Sequence, residues 1–502
     1  MFKLTKALMV FFSISACAIS NAAEYWVAKT GNDNNQCSSQ SDACLTIQKG
    51  ITKLNPGDTL NIGGGIYKED SANNPYTSKC GLLDANYGSI CAINSGTPDQ
   101  PIVIRAQPGE EGKVIIDSEG KRAGLLINKR DYIHIKNLTF QNSWTAGIGT
   151  VGGPSGVAVD ASLSIGCLIE GNIILKTRGA NGVNNSAIYM WSTKDWIVRN
   201  NQVIDVYGNG TMSNGIQSYG TINALIENNT ISQVDHGINW KDHYTLESKT
   251  TPYESLIRNN VFSVAVSGIR ISIRGAGTNP AGSNEIRGNI FILEKDSTTG
   301  IGGFLREANG LSGGLLIENN LFIGRVGNHK AINVDSVVDL QVIGNVFAGV
   351  KVPISLRLED INRPAKLTVS DYNIFDSATI QFQNDKYGTD QEDYNSLASW
   401  QAAKPSVDTT ITSLQRDNPD QHSIQLSGSA ILTKASQYST LLAGGLPLAK
   451  TDINFSADIP QIKHANGSIY QPGPYQKPGQ IIGASEALNS APDITDSNPK
   501  RN

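Results

Sequence analysis

The segment LIEGNII at residues 168–174 is the first of eight that share one pattern: an apolar run, one or two polar residues, an asparagine, and a second apolar pair. The other seven are IVRNNQVI (197–204), LIENNTI (225–231), LIRNNVF (256–262), EIRGNIF (285–291), LIENNLF (316–322), QVIGNVF (341–347) and VSDYNIF (369–375). The aligned asparagines are Asn172, Asn201, Asn229, Asn260, Asn289, Asn320, Asn345 and Asn373. Their successive gaps of 29, 28, 31, 29, 31, 25 and 28 residues indicate a solenoid of stacked units.

Each unit of this repeat contains several short β runs and almost no helical periodicity. An asparagine at a fixed turn tolerates left-handed backbone angles, and asparagines stacked along an axis can bond to one another in ladders. The sequence therefore predicts an all-β fold, a single-stranded right-handed parallel β-helix with an N-terminal cap helix and a C-terminal cap region.

Composition narrows the possible partners. The chain has 502 residues, of which 50 are glycine, and its 41 basic and 45 acidic side chains give a net charge of −4. The basic residues form no block or stripe, which argues against nucleic acid as a partner. We expect a monomer, and no stretch beyond the N-terminus is long and apolar enough to span a bilayer.

The N-terminus has the features of a secretory signal. Lys3 and Lys6 precede the apolar run ALMVFFSISACAI, and small residues end at Ala22. We expect cleavage after Ala22 and a secreted or periplasmic protein. The alternative is lipoprotein processing at Cys17, which would anchor the protein through an acyl chain.

The repeat also predicts the domain boundaries. We assign residues 1–22 to the signal peptide, 23–375 to the β-helix with its N-terminal cap, 376–486 to a C-terminal cap region, and 487–502 to a disordered tail. A short helix is expected over 46–54 and another over 395–403. Caps are needed because the end coils of a solenoid expose apolar core and open strand edges.

Five cysteines remain after removal of the signal. Cys37 with Cys44, and Cys80 with Cys91, are close pairs in loop-like sequence, and an oxidising compartment would let each pair form a disulfide. Cys167 lies in a strand, where we expect a buried free thiol.

A second strand in each unit has the form Gly/Ala-Ile-x-x. Aligning Ile188, Ile216, Ile238, Ile269, Ile332 and Ile354 places two columns of side chains on the outer side of these strands, because alternate residues of a strand face opposite sides. The columns predict one exposed surface on neighbouring coils, with aromatic, amide and cationic groups suited to an extended sugar chain. Its members are Tyr189, Trp191, Gln217, Tyr219, Asn239, Lys241, His243, Arg270 and Arg274.

Lys241 is the strongest catalytic candidate on this surface. In β-elimination of a uronate polysaccharide a base removes the C5 proton, and a neutral lysine can be that base. Arg270 and Arg274 would disfavour the charged form of the lysine and could pair with the substrate carboxylate. The candidates for the proton donor are Tyr219, His243, Tyr244 and Arg274.

His236 and Asp235 precede this strand, at the turn into it. Either could orient substrate or bind Ca²⁺, although an aspartate that caps a turn is the simpler interpretation of Asp235. The histidines show no metal-site spacing, so the sequence supports no assigned metal site.

The segments HGINWKDHY (236–244) and GIRISIRGAGTN (268–279), followed by EIRGNIF, resemble polysaccharide lyases of the chondroitinase B and alginate lyase group. The resemblance implies a right-handed parallel β-helix in which Lys241 is the base and Arg274 the catalytic arginine. It also implies Ca²⁺ at the uronate carboxylate. No acidic pair precedes Lys241, however, so Arg270 and Asn239 could neutralise the carboxylate instead.

The sequence thus predicts a secreted polysaccharide lyase acting on a uronic-acid-containing polymer such as alginate, pectate or a glycosaminoglycan. A glycoside hydrolase on the same fold would need two carboxylates about 5 to 9.5 Å apart. A uronate epimerase shares the proton abstraction, and a glycan-binding surface solenoid would use the same side chains without catalysis.

Overall fold

The structure, a computed structural model, is a solenoid of parallel β-coils. It describes residues 22–70, 88–127, 129–150, 163–179, 185–207, 213–241, 255–273, 284–305, 314–324, 327–335, 337, 339–357, 366–384, 392–403, 419–426, 462–463 and 469–470. The predicted all-β parallel β-helix is confirmed.

Each coil contributes strands to three rows that run along the solenoid. The first row is a 12-stranded parallel sheet, with strands Glu24–Val27, Thr59–Ile62, Ile102–Ala106, Ile133–Lys136, Leu168–Glu170, Ile197–Arg199, Leu225–Glu227, Leu256–Arg258, Asn284–Arg287, Gly314–Glu318, Asp339–Ile343 and Leu367–Asp371. The second row comprises Gly65–Tyr67, Val114–Asp117, Thr139–Gln141, Ile173–Thr177, Gln202–Val206, Ile290–Leu293, Leu321–Gly324, Val346–Ala348, Ile374–Asp376 and Ile424–Leu426.

The third row comprises Gly88–Cys91, Ala123–Leu126, Ala146–Gly149, Ser164–Ile165, Asn185–Lys194, Ser213–Ile222, Thr299–Leu305, Lys330–Asp335, Val352–Arg357, Phe382–Asn384 and the antiparallel Glu392–Tyr394. Two long strands, Thr230–Lys241 and Val261–Ile273, run through the corner between the second and third rows and join them into one 23-stranded sheet. A separate antiparallel pair consists of Ile462–Lys463 and Ile469–Tyr470.

The eight repeat asparagines form a continuous hydrogen-bonded ladder inside the solenoid. In the middle of the ladder, the Asn260 side-chain oxygen accepts from both the backbone N–H and the amide of Asn229, each at 2.9 Å. The Asn260 amide in turn donates to the Ile226 carbonyl at 3.0 Å and to the Asn289 side-chain oxygen at 3.0 Å. Because the amides from Asn172 to Asn345 all repeat this arrangement, the buried polar groups are satisfied only when successive coils are in register.

A buried carboxylate ends the ladder. The last asparagine, Asn373, donates its side-chain amide to Asp420 at 2.7 Å. Asp420 also accepts from the indole N–H of Trp400 at 2.8 Å and from the hydroxyls of Ser370 and Ser423, each at 2.6 Å. Burial raises the pKa of this carboxyl, although the four hydrogen bonds oppose that shift. Residues beyond 375 therefore continue the polar core of the solenoid.

Aromatic rings stack beside the ladder in the C-terminal half of the core. Successive rings from neighbouring coils lie 4.8 to 5.2 Å apart between centroids and nearly parallel. They are Phe262, Phe291, Phe322, Phe347 and Phe375. The rings stack only when the coils have the register that the asparagines require, so both sets of contacts stabilise the same register.

Opposite charges alternate along the outer side of the first row, a feature that the sequence analysis did not predict. Lys136, Glu170, Arg199, Glu227 and Arg258 occupy equivalent positions on five successive coils. Glu170 pairs with Lys136 at 3.1 Å and with Arg199 at 2.6 Å, and Glu227 pairs with Arg258 at 2.8 Å. Partly exposed pairs of this kind contribute little individually, but their alternation avoids repulsion between stacked coils.

The two short helices confirm the predicted helical segments. Helix α1, Ile47–Ile51, is capped by Thr46, and its apolar face is buried as predicted. Helix α2, Leu397–Gln401, begins with a capping box between Ser396 and Ser399. In the described part of the chain no helix is long and apolar enough to cross a membrane.

The cysteines follow their predicted states where the structure describes them. Cys37 and Cys44 form a disulfide, as predicted. Cys91 is disulfide-bonded, and its predicted partner Cys80 lies outside the described residues, as does Cys17. Cys167 is a buried free thiol, as predicted, and burial raises its pKa to about 12. A thiol with so high a pKa is a poor nucleophile.

We predict that Asn260→Ala lowers the free energy of unfolding by about 3 kcal/mol, because the change leaves the Asn229 donors and the Ile226 carbonyl buried without partners. Chemical denaturation should show this loss, and Asn328→Ala, at an exposed position, should change stability little. Equal stability of the two variants would contradict a stabilising role for the ladder.

The N-terminal cap contains a second buried carboxylate. Glu69 accepts from the backbone N–H groups of Ile47 and Gln48 at 2.5 and 2.9 Å, at the start of α1. Burial raises the pKa of Glu69 to about 7 from an ordinary value of 4.5, although both hydrogen bonds oppose the shift. The folded protein therefore holds this proton more tightly than the unfolded chain does.

We predict that the stability contributed by this protonation is complete below pH 4.5 and is lost as the pH rises to about 7. Thermal unfolding of the wild type and Glu69→Gln should therefore give midpoints whose difference shifts in favour of the variant across this range. Glu111→Gln, at an exposed position, is the control. Parallel midpoint curves for wild type and Glu69→Gln would contradict the assignment.

Candidate functional site

The predicted alignment of third-row strands places all six isoleucines in one column. Ile188, Ile216, Ile238 and Ile269 lie opposite one another on successive coils, all buried in the core. Ile332 and Ile354 continue the column, but one member was missed, because Ile301 occupies the coil between Ile269 and Ile332. That coil was missed because its strand reads Gly-Ile-Gly-Gly, without the polar outer residues of its neighbours.

The first outer column of this row is more enclosed than predicted. Its members in order are Tyr189, Gln217, Asn239, Arg270, Gly302, Asn333 and Ser355. The side chains of Gln217 and Asn239 are fully buried and Tyr189 is 8% exposed, whereas Arg270 is partly exposed. The prediction of an exposed surface was wrong for these three, because strand alternation gives the side on which a residue lies but not what covers that side.

The second outer column is partly accessible. Trp191, Tyr219 and Lys241 lie opposite one another on three successive coils, followed by Ser272. The Trp191 ring stacks on Tyr219 at 4.6 Å and 21°, and Tyr189 stacks on Trp191 at 5.9 Å and 15°. The result is a continuous aromatic surface that ends at the amine-bearing Lys241. We call Tyr189, Trp191, Gln217, Tyr219, Asn239, Lys241 and Arg270 together the candidate wall.

A buried amide network supports the candidate wall from within. The Gln217 side-chain oxygen accepts from the amides of Asn214 at 3.2 Å and Asn239 at 3.3 Å. The Gln217 amide nitrogen and the Asn239 side-chain oxygen are buried without a hydrogen-bond partner. Such atoms cost about 1 to 3 kcal/mol each, and they leave the network with one unused donor and one unused acceptor.

Asn214 is the residue that the sequence analysis missed. It lies opposite His236 on the next coil, and its amide donates to the same Gln217 oxygen as the amide of Asn239. Asn214 lies two residues before the aligned Ile216, so the sequence placed it on the same strand. The sequence alone does not show whether a polar residue at that position is buried or exposed.

His236 and Asp235 lie within a strand and not at a turn, which corrects the prediction. Thr230–Lys241 is continuous, with register shifts near these residues in place of a break. His236 is 3% exposed, and its Nδ1 lies 2.7 Å from the Ser267 hydroxyl. Asp235 accepts from the Ser213 hydroxyl at 2.8 Å. Both side chains are therefore held by a neighbouring coil.

The candidate wall carries basic side chains at one end. Arg270 lies one coil beyond Asn239 and two residues before Ser272, which is opposite Lys241, so the two cations occupy adjacent coils. Burial, with a smaller contribution from Tyr219, raises the pKa of the Tyr189 phenol, which therefore stays protonated. The wall thus combines stacking surfaces, neutral hydrogen-bonding groups and positive charge.

Three of the predicted site residues, Arg274, His243 and Tyr244, lie outside the described residues. Within the described ranges, no group of three or more His, Cys, Asp or Glu side chains is arranged to hold a metal ion. The described wall side chains around Lys241 include the guanidinium of Arg270 and no carboxylate, a set that does not fit Ca²⁺, whose sites are built around carboxylate oxygens. We therefore derive no catalytic step through calcium.

Comparisons with known proteins give architecture only. No family model and no curated protein matches the chain. Similar solved structures include a rhamnogalacturonan lyase (13% identity, 65% of this chain and 82% of that one, TM-score 0.43). A complex of XylC with xylose has 13% identity over 80% of this chain and 86% of that one, TM-score 0.46. A mannuronic acid specific family 6 lyase from human gut microbiota has 19% identity over 70% and 75%, TM-score 0.39. At these values the comparisons support no assignment of activity.

Proposed function

We propose that this protein is a secreted lyase that cleaves a uronic-acid-containing polysaccharide by β-elimination. The observation that carries the proposal is the register that brings Lys241 beside the Trp191 and Tyr219 stack, one column from the amides and Arg270. The wall would bind an extended sugar chain across successive coils, with aromatic rings on pyranose faces and Arg270 at a carboxylate.

Lys241 is the proposed base. Its neutral amine removes the C5 proton of the uronate residue, and the electron pair left on C5 is delocalised into the adjacent carboxylate. The pair then forms the C4–C5 double bond as the bond from C4 to the glycosidic oxygen breaks. Tyr219, which lies opposite Lys241 on the preceding coil, can protonate the leaving oxygen. Arg274, His243 and Tyr244 remain candidates for the same role.

The substrate carboxylate is assigned to Arg270, which lies one coil beyond Asn239 and is partly exposed. Its guanidinium supplies positive charge where the carboxylate gains negative charge. Gln217 and Asn239 are fully buried, so they would support the wall from behind without touching the substrate.

The family resemblance of two segments agrees with the proposed catalytic roles. The resemblance of residues 236–244 and 268–279 to the chondroitinase B and alginate lyase group supports the Lys241 and Arg274 roles. Secretion rests on the N-terminal signal pattern and is supported by the Cys37–Cys44 disulfide, which fits an oxidising compartment. A hydrolase is less well supported, because none of the described residues of the candidate wall is a carboxylate of the kind that mechanism needs.

We predict that Lys241→Ala lowers the turnover of the cleaved polymer by about 10²- to 10⁴-fold, the usual effect of removing a positioned base. Purified protein would be incubated with alginate, pectate and chondroitin, and the ultraviolet absorbance of the unsaturated product followed together with new reducing ends. Lys194→Ala, in the same row but outside the wall, should retain activity. Full lyase activity of Lys241→Ala would exclude the proposed base.

We predict that Gln217→Glu reduces activity more than Gln217→Ala, because a carboxylate buried behind the wall repels the substrate carboxylate that Arg270 binds. The loss should appear mainly in kcat, since the repulsion grows as negative charge develops on the substrate. Gln341→Glu, on the first row, is the control. If Gln217→Glu were as active as wild type, no substrate carboxylate would lie near this position.

A further inference from the structure

A second cluster of charged side chains lines a cavity away from the candidate wall. The cavity, of about 440 Å³, lies where second-row strands of successive coils end, at the corner before the third row. We call it the corner cavity. It is lined by Lys68, Asp117, Glu119, Asn142, Lys176 and Arg178. Lys176 and Arg178 belong to the same coil as Tyr189 and Trp191, so the corner cavity and the candidate wall are joined by one coil.

The carboxylates of the corner cavity are already engaged. Asp117 accepts from the side-chain amides of Asn142 at 3.0 Å and Gln141 at 3.1 Å, and from the backbone N–H of Glu119 at 3.0 Å. Although burial opposes it, these hydrogen bonds hold the pKa of Asp117 below its ordinary value. Glu119 pairs with Lys68 at 3.6 Å and with Arg122 at 3.0 Å. Neither acid is left to neutralise Lys176.

The cations are differently placed. Arg178 pairs with Asp205 at 2.6 Å, and its guanidinium lies over the ring of Tyr207 at 5.9 Å. The Tyr207 side chain is 59% exposed, the highest value among the three large apolar side chains that are exposed in the described part of the chain. Lys176 is exposed, and among the described residues it has no ion-pair or side-chain hydrogen-bond partner. Lys176 and Arg178 thus line the cavity from one coil, and Tyr207, on the next coil, borders it through its contact with Arg178.

The backbone at Lys176 has the conformation of a turn that repeats from coil to coil. Its φ of 52° is left-handed, as is the φ of 53° at Asn142, which occupies the same turn one coil earlier. Asparagine adopts this conformation readily, whereas lysine does so at a cost. Stacked turns with the same conformation direct their Cα–Cβ bonds the same way, so the side chain of Lys176 starts out in the direction of Asn142, which also lines the cavity.

We propose that the corner cavity is a second, non-catalytic binding site for an anionic saccharide. The exposed face of Tyr207 would stack on a pyranose ring, while Lys176 and Lys68 bind its carboxylate or sulfate. Asp117 and Asn142 would fix hydroxyl groups. The choice of saccharide rests on the proposed function, and a site on the coil next to the candidate wall would hold a long polymer close to the point of cleavage.

The test separates this site from catalysis by measuring binding alone. Full-length protein would be run through native gels containing alginate, pectate or chondroitin at several salt concentrations, with Lys176→Ala, Tyr207→Ala and the double variant beside wild type. We expect each single variant to bind about fivefold more weakly, as for the loss of one exposed cationic or stacking contact, and the difference for Lys176→Ala to shrink at high salt. Lys351→Ala, an exposed lysine on a distant coil, should bind as wild type.

The outcomes are distinct from those for the lyase activity. Weaker binding of both variants supports the corner cavity as a saccharide site even if no polymer is cleaved, a result that would overturn only the lyase proposal. Wild-type affinity in both variants, or no retardation of the wild type by any of the polymers, would overturn the second site. Circular dichroism of the variants confirms that altered migration does not reflect unfolding.

Discussion

The structure depends on the hydrogen-bonded asparagine ladder. Each rung uses one side chain to satisfy a backbone N–H, a carbonyl and the next amide, so a coil out of register leaves several buried polar groups unpaired. The ladder is directional, because each asparagine amide donates one hydrogen bond to the next rung toward the C-terminus, and the last rung needs an acceptor. The carboxylate of Asp420 meets that requirement, and the stacked phenylalanines add dispersion energy in the same register.

Fixed register explains how residues far apart in sequence can form one surface. Trp191, Tyr219 and Lys241 are separated by whole coils, yet the core residues one position before them place them opposite one another. The same constraint builds the alternating charges of the first row and the stacked turns of the corner cavity. A binding surface on this fold is therefore determined by which outer side chain occupies each position on successive coils. The repeated core holds these side chains in register.

Much of this arrangement could be predicted from the sequence, because the ladder leaves a mark at a regular spacing. The asparagines, the two short helices, the Cys37–Cys44 disulfide and the alignment of Ile188 with Ile269 follow from local patterns. Three features could not be predicted from local patterns. The coil of Ile301 was missed because its outer residues are glycines, the burial of Gln217 depends on what covers the strand, and the charges flanking Glu170 become neighbours only through stacking.

The unequal spacing of the ladder has a consequence for how such a protein can change. Neighbouring asparagines are separated by as few as 25 and as many as 31 residues, yet the bonds between their side chains stay between 2.9 and 3.3 Å. The segments that link the rows thus differ in length from coil to coil, and the hydrogen bonds of the interior keep the same geometry. Segments near the candidate wall could be lengthened or exchanged to reshape a binding groove, with folding and recognition altered independently of each other.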